Sequence, residues 1–379
     1  MKWDKGIVDD LCDINPENVS QNYSHDSIVY FDITSVGSGI VTINDEIALS
    51  NAPSRAKRIV RSNDTILATV RPGNKSYYYF KTASENFVAS TGFAVLRPKK
   101  EKTDPRFLYY LVSEPGFTAY LVAYEQGANY PAVTPNIICG KPISIPPLPT
   151  QRRIASILSA YDDLIENNLK RIKLLEEKAF IGYKLLNKGE KFKLSELYDT
   201  SSGGTPSRTN PEYFTGEINW FKSKELADSI LLESEEKITE SAVDKSSAKL
   251  FPIGSVIMAM YGATIGKLGL LSMPSTTNQA CCAIIQKDEV KSNYYIFNWL
   301  LENREYVLSY RMGAAQENIS QQVIKNLLVP IPNYNDLRIF NSEMRPIYQL
   351  IKNIHQQNTK LRETRDILLP RLMSGEIEV

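Results

Sequence analysis

The feature that most constrains this chain is that it repeats itself. Asn63-Asp64-Thr65-Ile66-Leu67-Ala68-Thr69 shares a pattern with Ile253-Gly254-Ser255-Val256-Ile257-Met258-Ala259, a turn running into a buried strand. Thr91 to Leu96 parallels Gln279 to Ile284 as a second strand, and Pro105 to Val112 parallels Asn293 to Leu300 as a helix. Gly127-Ala128-Asn129-Tyr130-Pro131 stands opposite Gly313-Ala314-Ala315-Gln316-Glu317. Each half then has an apolar strand closed by prolines, Ile143-Ser144-Ile145-Pro146-Pro147 and Leu327-Leu328-Val329-Pro330-Ile331-Pro332. The offset stays at about 184 to 190 residues, close to half of the chain. Few residues are identical. The common order and offset are what make chance a poor account of the match.

A long helical pattern follows each proline-closed strand. In the first, from about Gln151 to Lys188, apolar residues fall at Ile154, Leu158, Tyr161, Ile165, Ile172, Leu175 and Ala179, with Asn168 in the one remaining place. Alternating steps of four and three make this a heptad seam. The second, from about Asp336 to Met373, reads Ile347, Ile351, Ile354, Asn358, Leu361, Arg365, Leu368, Leu372. Pro346 predicts a start or a kink near that point. Such helices are roughly 45–55 Å long. Asn168 and Asn358 lie near the two helix middles, so an antiparallel pair crossing there brings them together as a register-fixing polar layer; the other reading puts both in solvent. The expected fold class is therefore duplicated α/β (α+β) domains joined by two long antiparallel coiled-coil helices with pseudo-twofold symmetry. The expected boundaries are 1–150 and 190–335 for the domains, and 151–189 and 336–379 for the helices. About 190 residues are used twice, which presents two similar binding surfaces at a fixed separation.

Composition narrows the function. With 44 Lys+Arg against 43 Asp+Glu, the net charge of +1 excludes a bulk polycation but not local basic faces. Hydrophobic residues at 42% supply real cores. Cys12, Cys139, Cys281 and Cys282 have no C-x-x-C spacing, and His25 and His355 are far apart, so neither a structural metal nor a disulfide framework is expected. No apolar run follows Met1-Lys2-Trp3-Asp4-Lys5, and no stretch approaches the ~20 residues of a membrane span. A cytoplasmic protein is expected.

Chemistry is hard to find. There is no Walker A sequence, and Gly37-Ser38-Gly39 fails as a dinucleotide fingerprint at Thr42. Asn210-Pro211-Glu212-Tyr213 is one residue from the amino-methyltransferase motif but lacks a glycine-rich cofactor loop upstream. Glu176-Glu177-Lys178 and Glu289-Val290-Lys291 are E-x-K fragments of nuclease sites; the first is better read as i,i+4 charge pairing on the helix, the second as a polar loop. His25 and His355 read as surface or rim residues. No catalytic residue and no metal ligand are assigned, which favours a binding module over an enzyme.

Basic and aromatic residues cluster in the first domain. Ser54 to Arg61 carries Arg55, Lys57 and Arg58, and the Pro-Gly turn that follows carries Arg71, Lys75, Tyr77 and Lys81. Such residues can donate to phosphates and base edges. In the second domain, Ser201-Ser202-Gly203-Gly204-Thr205-Pro206-Ser207-Arg208 is rich in hydroxyls and N–H groups, with Ser202, Gly204, Thr205, Ser207 and Arg208 as candidates. Lys222 and Lys224 follow, then Tyr261, Thr264 and Lys267, and finally Asn278. Glu233, Glu235, Glu236 and Glu240 form an acidic stretch expected to face away from a polyanion.

Three passages resemble one family, the specificity subunits of Type I restriction–modification systems. Pro146-Pro147-Leu148-Pro149-Thr150-Gln151-Arg152-Arg153-Ile154 running into Asp162-Asp163-Leu164-Ile165-Glu166-Asn167-Asn168 is similar to that family's central region. Ser202-Gly203-Gly204-Thr205-Pro206-Ser207 with Asn210-Pro211-Glu212-Tyr213 resembles the start of a second target-recognition domain. Tyr261-Gly262-Ala263-Thr264-Ile265-Gly266-Lys267 with Thr277-Asn278-Gln279-Ala280 resembles another family pattern. The first domain lacks the Gly-Gly-Thr-Pro-Ser opening. The resemblance implies two domains, each reading half of a bipartite site in double-stranded DNA, and helices that set the gap and dock two modification subunits. Gln151, Arg152, Arg153, Asp162, Asn168 and Asn358 are then the candidates for partner docking. It also implies that S-adenosylmethionine and ATP with Mg belong to the modification and restriction subunits, with no cofactor in this chain. Two other readings stay open: a single-chain methyltransferase or nuclease, and an assembly scaffold whose domains bind proteins.

Overall fold

Strand Thr65–Ala68 is buried along its whole length, as a four-residue run flanked by turn residues requires when both its faces are covered. Its counterpart Val256–Ala259 is buried in the same way. In the computed structural model the described residues are 3–127, 129–287, 292–312 and 317–379. The Gly127 and Gly313 comparison therefore falls partly, and the Glu289-Val290-Lys291 fragment wholly, outside the described residues. The chain divides into two units, Met1–Ile165 with Lys360–Val379, and Glu166–Thr359. Each unit takes one domain and a share of both long helices, where the linear division gives each helix a segment of its own.

In the first unit, one four-stranded sheet has the order Cys12–Ile14, Phe93–Pro98, Thr65–Ala68, Tyr77–Tyr79. A second has the order Glu46–Ala48, Ser27–Phe31, Phe87–Ser90, Ala56–Ile59, with its middle pair parallel. Asp4–Ile7 pairs with Pro142–Ile145 as a separate ribbon. Phe31, Phe80 and Phe87 fill one core edge to face.

The second unit repeats the scheme. Tyr198–Ser202, Cys281–Gln286, Val256–Ala259 and Leu268–Leu271 follow the same order, with Ser229–Leu231 added at the edge. Ile218–Phe221 runs parallel to Thr276–Thr277, as Ser27–Phe31 does to Phe87–Ser90. Lys191–Lys193 pairs with Leu328–Pro330 as the equivalent ribbon. Helices Pro105–Ser113 and Asn293–Glu302 occupy matching places. Each opens on an N-cap side chain, Asp104 accepting from the Arg106 and Phe107 amides and Ser292 from the Tyr295 amide.

The long helices are Leu148–Lys184 and Tyr334–Ser374. Most of the predicted seam is buried, namely Ile154, Leu158, Ile165, Asn168, Ile172 and Ala179 on the first helix and Ile347, Ile351, Ile354, Asn358 and Leu372 on the second, while Tyr161, Leu175, Leu361, Arg365 and Leu368 are half-buried. Pro346 neither starts nor ends its helix, which begins at Tyr334 and continues through it, so the expected start near Pro346 is corrected. Packing compensates for the amide that proline lacks, since Met344, Ile347 and Tyr348 around it are all buried in the second unit's core. Within the second unit the helices run antiparallel, with Asn168 on Asn358 and Gly182 against Met344. The Asn168 Nδ2 donates to Asn358 Oδ1 at 2.8 Å, and the two side chains are 0% and 1% exposed. The polar layer is thus formed. Asn168 Nδ2 also reaches Gln357 (3.2 Å), and Arg171 donates to its Oδ1 (3.3 Å).

Each domain clasps its own share of the helices through polar contacts as well as apolar ones. In the first unit, Tyr110 donates to Asp162 (2.6 Å), which also takes the Arg365 guanidinium. In the second, Asn298 donates to the Tyr348 hydroxyl (2.9 Å) beneath the stacked Tyr294 ring. Burial and the Asp162 carboxylate together push the Tyr110 hydroxyl far above its ordinary range, so it stays a proton donor. The Glu176-Glu177-Lys178 segment shows no ion pair among the described residues; the i,i+4 pair on this helix is Glu166 with Lys170.

Candidate nucleic-acid interface

In the first domain the basic candidates lie on a strand and on a turn. Arg55 and Lys57 flank the start of Ala56–Ile59 and are exposed, with no ion pair among the described residues. A bulge between Ala56 and Arg58 shifts the register, and Arg58 is held by the Asn18 side chain at 2.7 Å. Arg71 and Lys75 bound the short helical turn Pro72–Asn74, both exposed and both with left-handed backbone (φ 49° and 55°). The Arg71 guanidinium lies 5.4 Å from the Tyr130 ring centroid. Lys81 is drawn to Asp163 of the central helix (4.0 Å), a carboxylate it shares with Arg106. Tyr77 belongs to the core: it is buried, and its hydroxyl accepts from Ser38 at 2.8 Å, which corrects its assignment to a DNA surface.

The second domain explains its glycines by close backbone approach. A Cβ on Gly203 would meet Thr277 and Asn278, and one on Gly204 would meet the Ser247 backbone at 2.1 Å. The Gly204 amide donates to Thr277 O and its carbonyl accepts from the Trp220 indole. Gly204 is buried and both its polar groups are used, so the expectation that it touches DNA is corrected to a packing role. Around it Ser202 bonds Gln321, Thr205 bonds Gln279, and the Ser207 and Thr209 hydroxyls share a bond. Asn210 caps the turn Pro211–Phe214 through the Glu212 amide, which gives Asn210-Pro211-Glu212-Tyr213 a structural explanation.

Part of the acidic stretch lies beside the cations of this domain. Ile218–Phe221 pairs antiparallel with Lys237–Ile238, and this brings Glu235 and Glu236 beside Lys222, Lys224 and Arg208. Hydrogen bonds from Arg208 and then Lys222 hold the Glu236 carboxyl down at about 2. Arg208 also lies over Phe214 (4.1 Å) and Trp220 (5.1 Å). Lys267 pairs with Asp228 at 2.8 Å; burial opposes that carboxylate's charge, but Lys267, the Leu268 amide and Arg304 outweigh it and hold its pKa low. Tyr261 and Thr264 sit on the turn Gly262–Thr264, half-buried, and Asn278 is half-buried behind Phe221. Sequence reasoning missed Glu235, Glu236, Phe214 and Asp228 as partners of these cations. The only available signal was the alternation of charge across the 219–237 hairpin.

Of the docking candidates, Gln151 is buried, donating to Lys102 O and Pro146 O and accepting from the Asp104 amide. Asp162, Asn168 and Asn358 are spent within the chain as described. Arg152 and Arg153 are exposed. Among the described residues no group of three or more His, Cys, Asp or Glu is placed to hold a metal, and no helix is long and apolar enough to cross a membrane.

A duplicated domain carrying polar and basic loops, clasped to paired helices, defines a two-site recognition protein. The model of the family described as the Type I restriction modification DNA specificity domain matches residues 1–177 and again 187–363. The chain belongs to that family: it is a DNA-specificity subunit with two recognition domains, a recognition component and not a catalytic one. It is 22% identical to the Type I restriction enzyme HindI specificity subunit of Haemophilus influenzae, over 95% of this chain and 98% of that one. It is 26% identical to the MjaIX specificity subunit of Methanocaldococcus jannaschii, over 79% and 75% respectively. Its fold is similar to that of the Type I S subunit from M. genitalium (TM-score 0.58, 13% identity, 98% of this chain and 96% of that one).

Proposed function

We propose that this chain selects a bipartite DNA sequence for a cytoplasmic Type I restriction–modification enzyme. Residues 1–150 read one half-site and 190–335 the other, and the helices at 151–189 and 336–379 set the gap. The observation that carries this is the twofold family match, which coincides with two domains of the same strand order. Two modification subunits dock on the helices, with the exposed Arg152 and Arg153 as the first contacts to test. Those subunits supply S-adenosylmethionine chemistry on adenine, and restriction subunits supply ATP- and Mg-dependent cleavage. In the first domain Arg55, Lys57, Arg71 and Lys75 contact DNA. In the second, Arg208 on its aromatic platform, with Ser207, Lys222 and Lys224, forms the contact surface. The hairpin carboxylates there leave little net charge, which suits base-edge contacts better than a phosphate grip.

The test is to express the chain with its own modification subunits and map the methylated sites on genomic DNA. The expected result is a motif of two short halves around a fixed gap, and replacing residues 1–150 with another family member's domain changes one half only. A single uninterrupted motif, or methylation by this chain alone, refutes the proposal. Charge reversal at Arg152 and Arg153 is expected to reduce co-purification of the modification subunit while the motif stays the same.

A further inference from the structure

The two copies of the fold provide an internal comparison at one turn. In the first domain the Ala68 amide donates to Ser76 O; in the second, the Ala259 amide donates to Lys267 O. Between these matching bonds, which are equally spaced, the chain makes a short helical turn in both copies, Pro72–Asn74 in one and, one residue earlier in that register, Gly262–Thr264 in the other. The register therefore equates Arg71 with Gly262 and Lys75 with Gly266. All four residues have left-handed backbone: φ 49° and 55° in the first copy, 73° and 79° in the second. The fold demands this conformation at both positions. The second copy meets the demand with glycine, which adopts it without steric cost. A Cβ on Gly262 would meet no neighbouring atom, so only the backbone angle favours glycine there. The first copy places a long cation at each position, in a conformation that side-chain-bearing residues adopt sparingly.

Among the described residues no carboxylate offsets that strain. Neither Arg71 nor Lys75 has an ion pair or a side-chain hydrogen bond among the described residues; Arg71 has only the Tyr130 ring. In the second domain, by contrast, Lys267, whose carbonyl closes the turn, is paired with Asp228. Two exposed, unpaired cations held on a strained turn are matched to an anion from outside the chain.

We infer that the Arg71–Lys75 turn is a phosphate clamp which grips the DNA backbone beside the first half-site, and that the equivalent turn of the second domain, with glycines in both places, is not. This rests on the DNA-reading role proposed above. It adds that the two domains hold DNA unequally, the first through backbone charge on this turn.

The test compares two double variants in the full complex with modification subunits, on duplexes carrying the mapped motif and on random duplex. Arg71→Gly with Lys75→Gly removes both strain and charge. Arg71→Gln with Lys75→Gln removes charge and keeps the strain. The glycine pair is expected to raise the urea midpoint, read as hydrogen-exchange protection of strands Thr65–Ala68 and Phe93–Pro98. It also lowers the slope of log affinity against log salt by about 0.9 per lost phosphate contact. The glutamine pair lowers the slope equally without raising the midpoint. In both, the recognised motif stays the same. An unchanged slope overturns the clamp, and so does an altered base preference at one position, which would mark a base contact. A lower midpoint in the glycine pair overturns the strain argument. A wild-type complex with no sequence preference refutes the proposed function itself, a result separate from all of these.

Discussion

Replacing the asparagines of the polar layer gives an asymmetric stability series. Among the described residues, Asn358 makes its side-chain bond only to Asn168, and its Nδ2 is buried with no partner. Asn168 has three partners: Asn358, Gln357 and Arg171. Asn168→Leu therefore strands an amide that is 1% exposed, at about 1–3 kcal/mol for each orphaned group. Burying the new leucine returns about 1.5–3 kcal/mol, reduced by about 1–3 kcal/mol where the larger side chain crowds the seam. The net is a loss of about 1–2 kcal/mol. Asn358→Leu removes the orphaned Nδ2 and leaves Asn168 two partners, so its stability stays close to wild type. The double leucine removes both amides and is expected to exceed wild type, while register becomes less unique. Urea unfolding followed by fluorescence of Trp220 and Trp299, both buried in the Glu166–Thr359 unit, reads the series. Spin labels at the exposed Leu174 and Leu350 read register as the width of their distance distribution. A double variant less stable than wild type refutes the reasoning, as does Asn358→Leu being the costlier single change.

Three further outcomes follow from the geometry. Arg97→Met leaves Asp64, 0% exposed, without its bidentate partner, and is expected to cost the first unit about 3–5 kcal/mol in chemical unfolding. At Glu302, burial favours the neutral acid, but Lys184, Tyr183 and Lys188 win and hold its pKa at about 2 against an ordinary 4.5. The lowered value means that this stability is complete above about 4.5 and drains as pH falls toward 2; Glu302→Gln should flatten that slope in acid melts and lower stability at neutral pH. Changing Arg55, Lys57 and Arg58 together to Ala should reduce the salt slope of DNA binding by about two contacts' worth and not three, because Arg58 is engaged by Asn18. An undiminished slope in gel shifts across a salt series removes this strand from the surface.

The duplication, the matching strands and helices, and the heptad seams were legible in the sequence because periodicity and repetition are properties of neighbouring residues. Asn168 and Asn358 were legible for the same reason, as the polar interruptions of apolar seams. The surface was less legible. Tyr77 and Gly204 look like ligand-facing residues in a polar stretch, yet each is spent on a distant partner, Ser38 for one and Trp220 and Thr277 for the other. Arg208 and Lys222 look like free cations until the hairpin pairing sets Glu236 between them.

By itself the sequence determined a twofold chain with two long paired helices and a family of DNA-specificity domains. Apolar spacing dictates which faces must be buried, and a pattern used twice must fold twice. Only the tertiary structure decided which cations remain free. Charge pairing joins residues far apart in sequence, and a backbone angle such as that of Arg71 is set by the hydrogen bonds closing its turn, not by the residue occupying it.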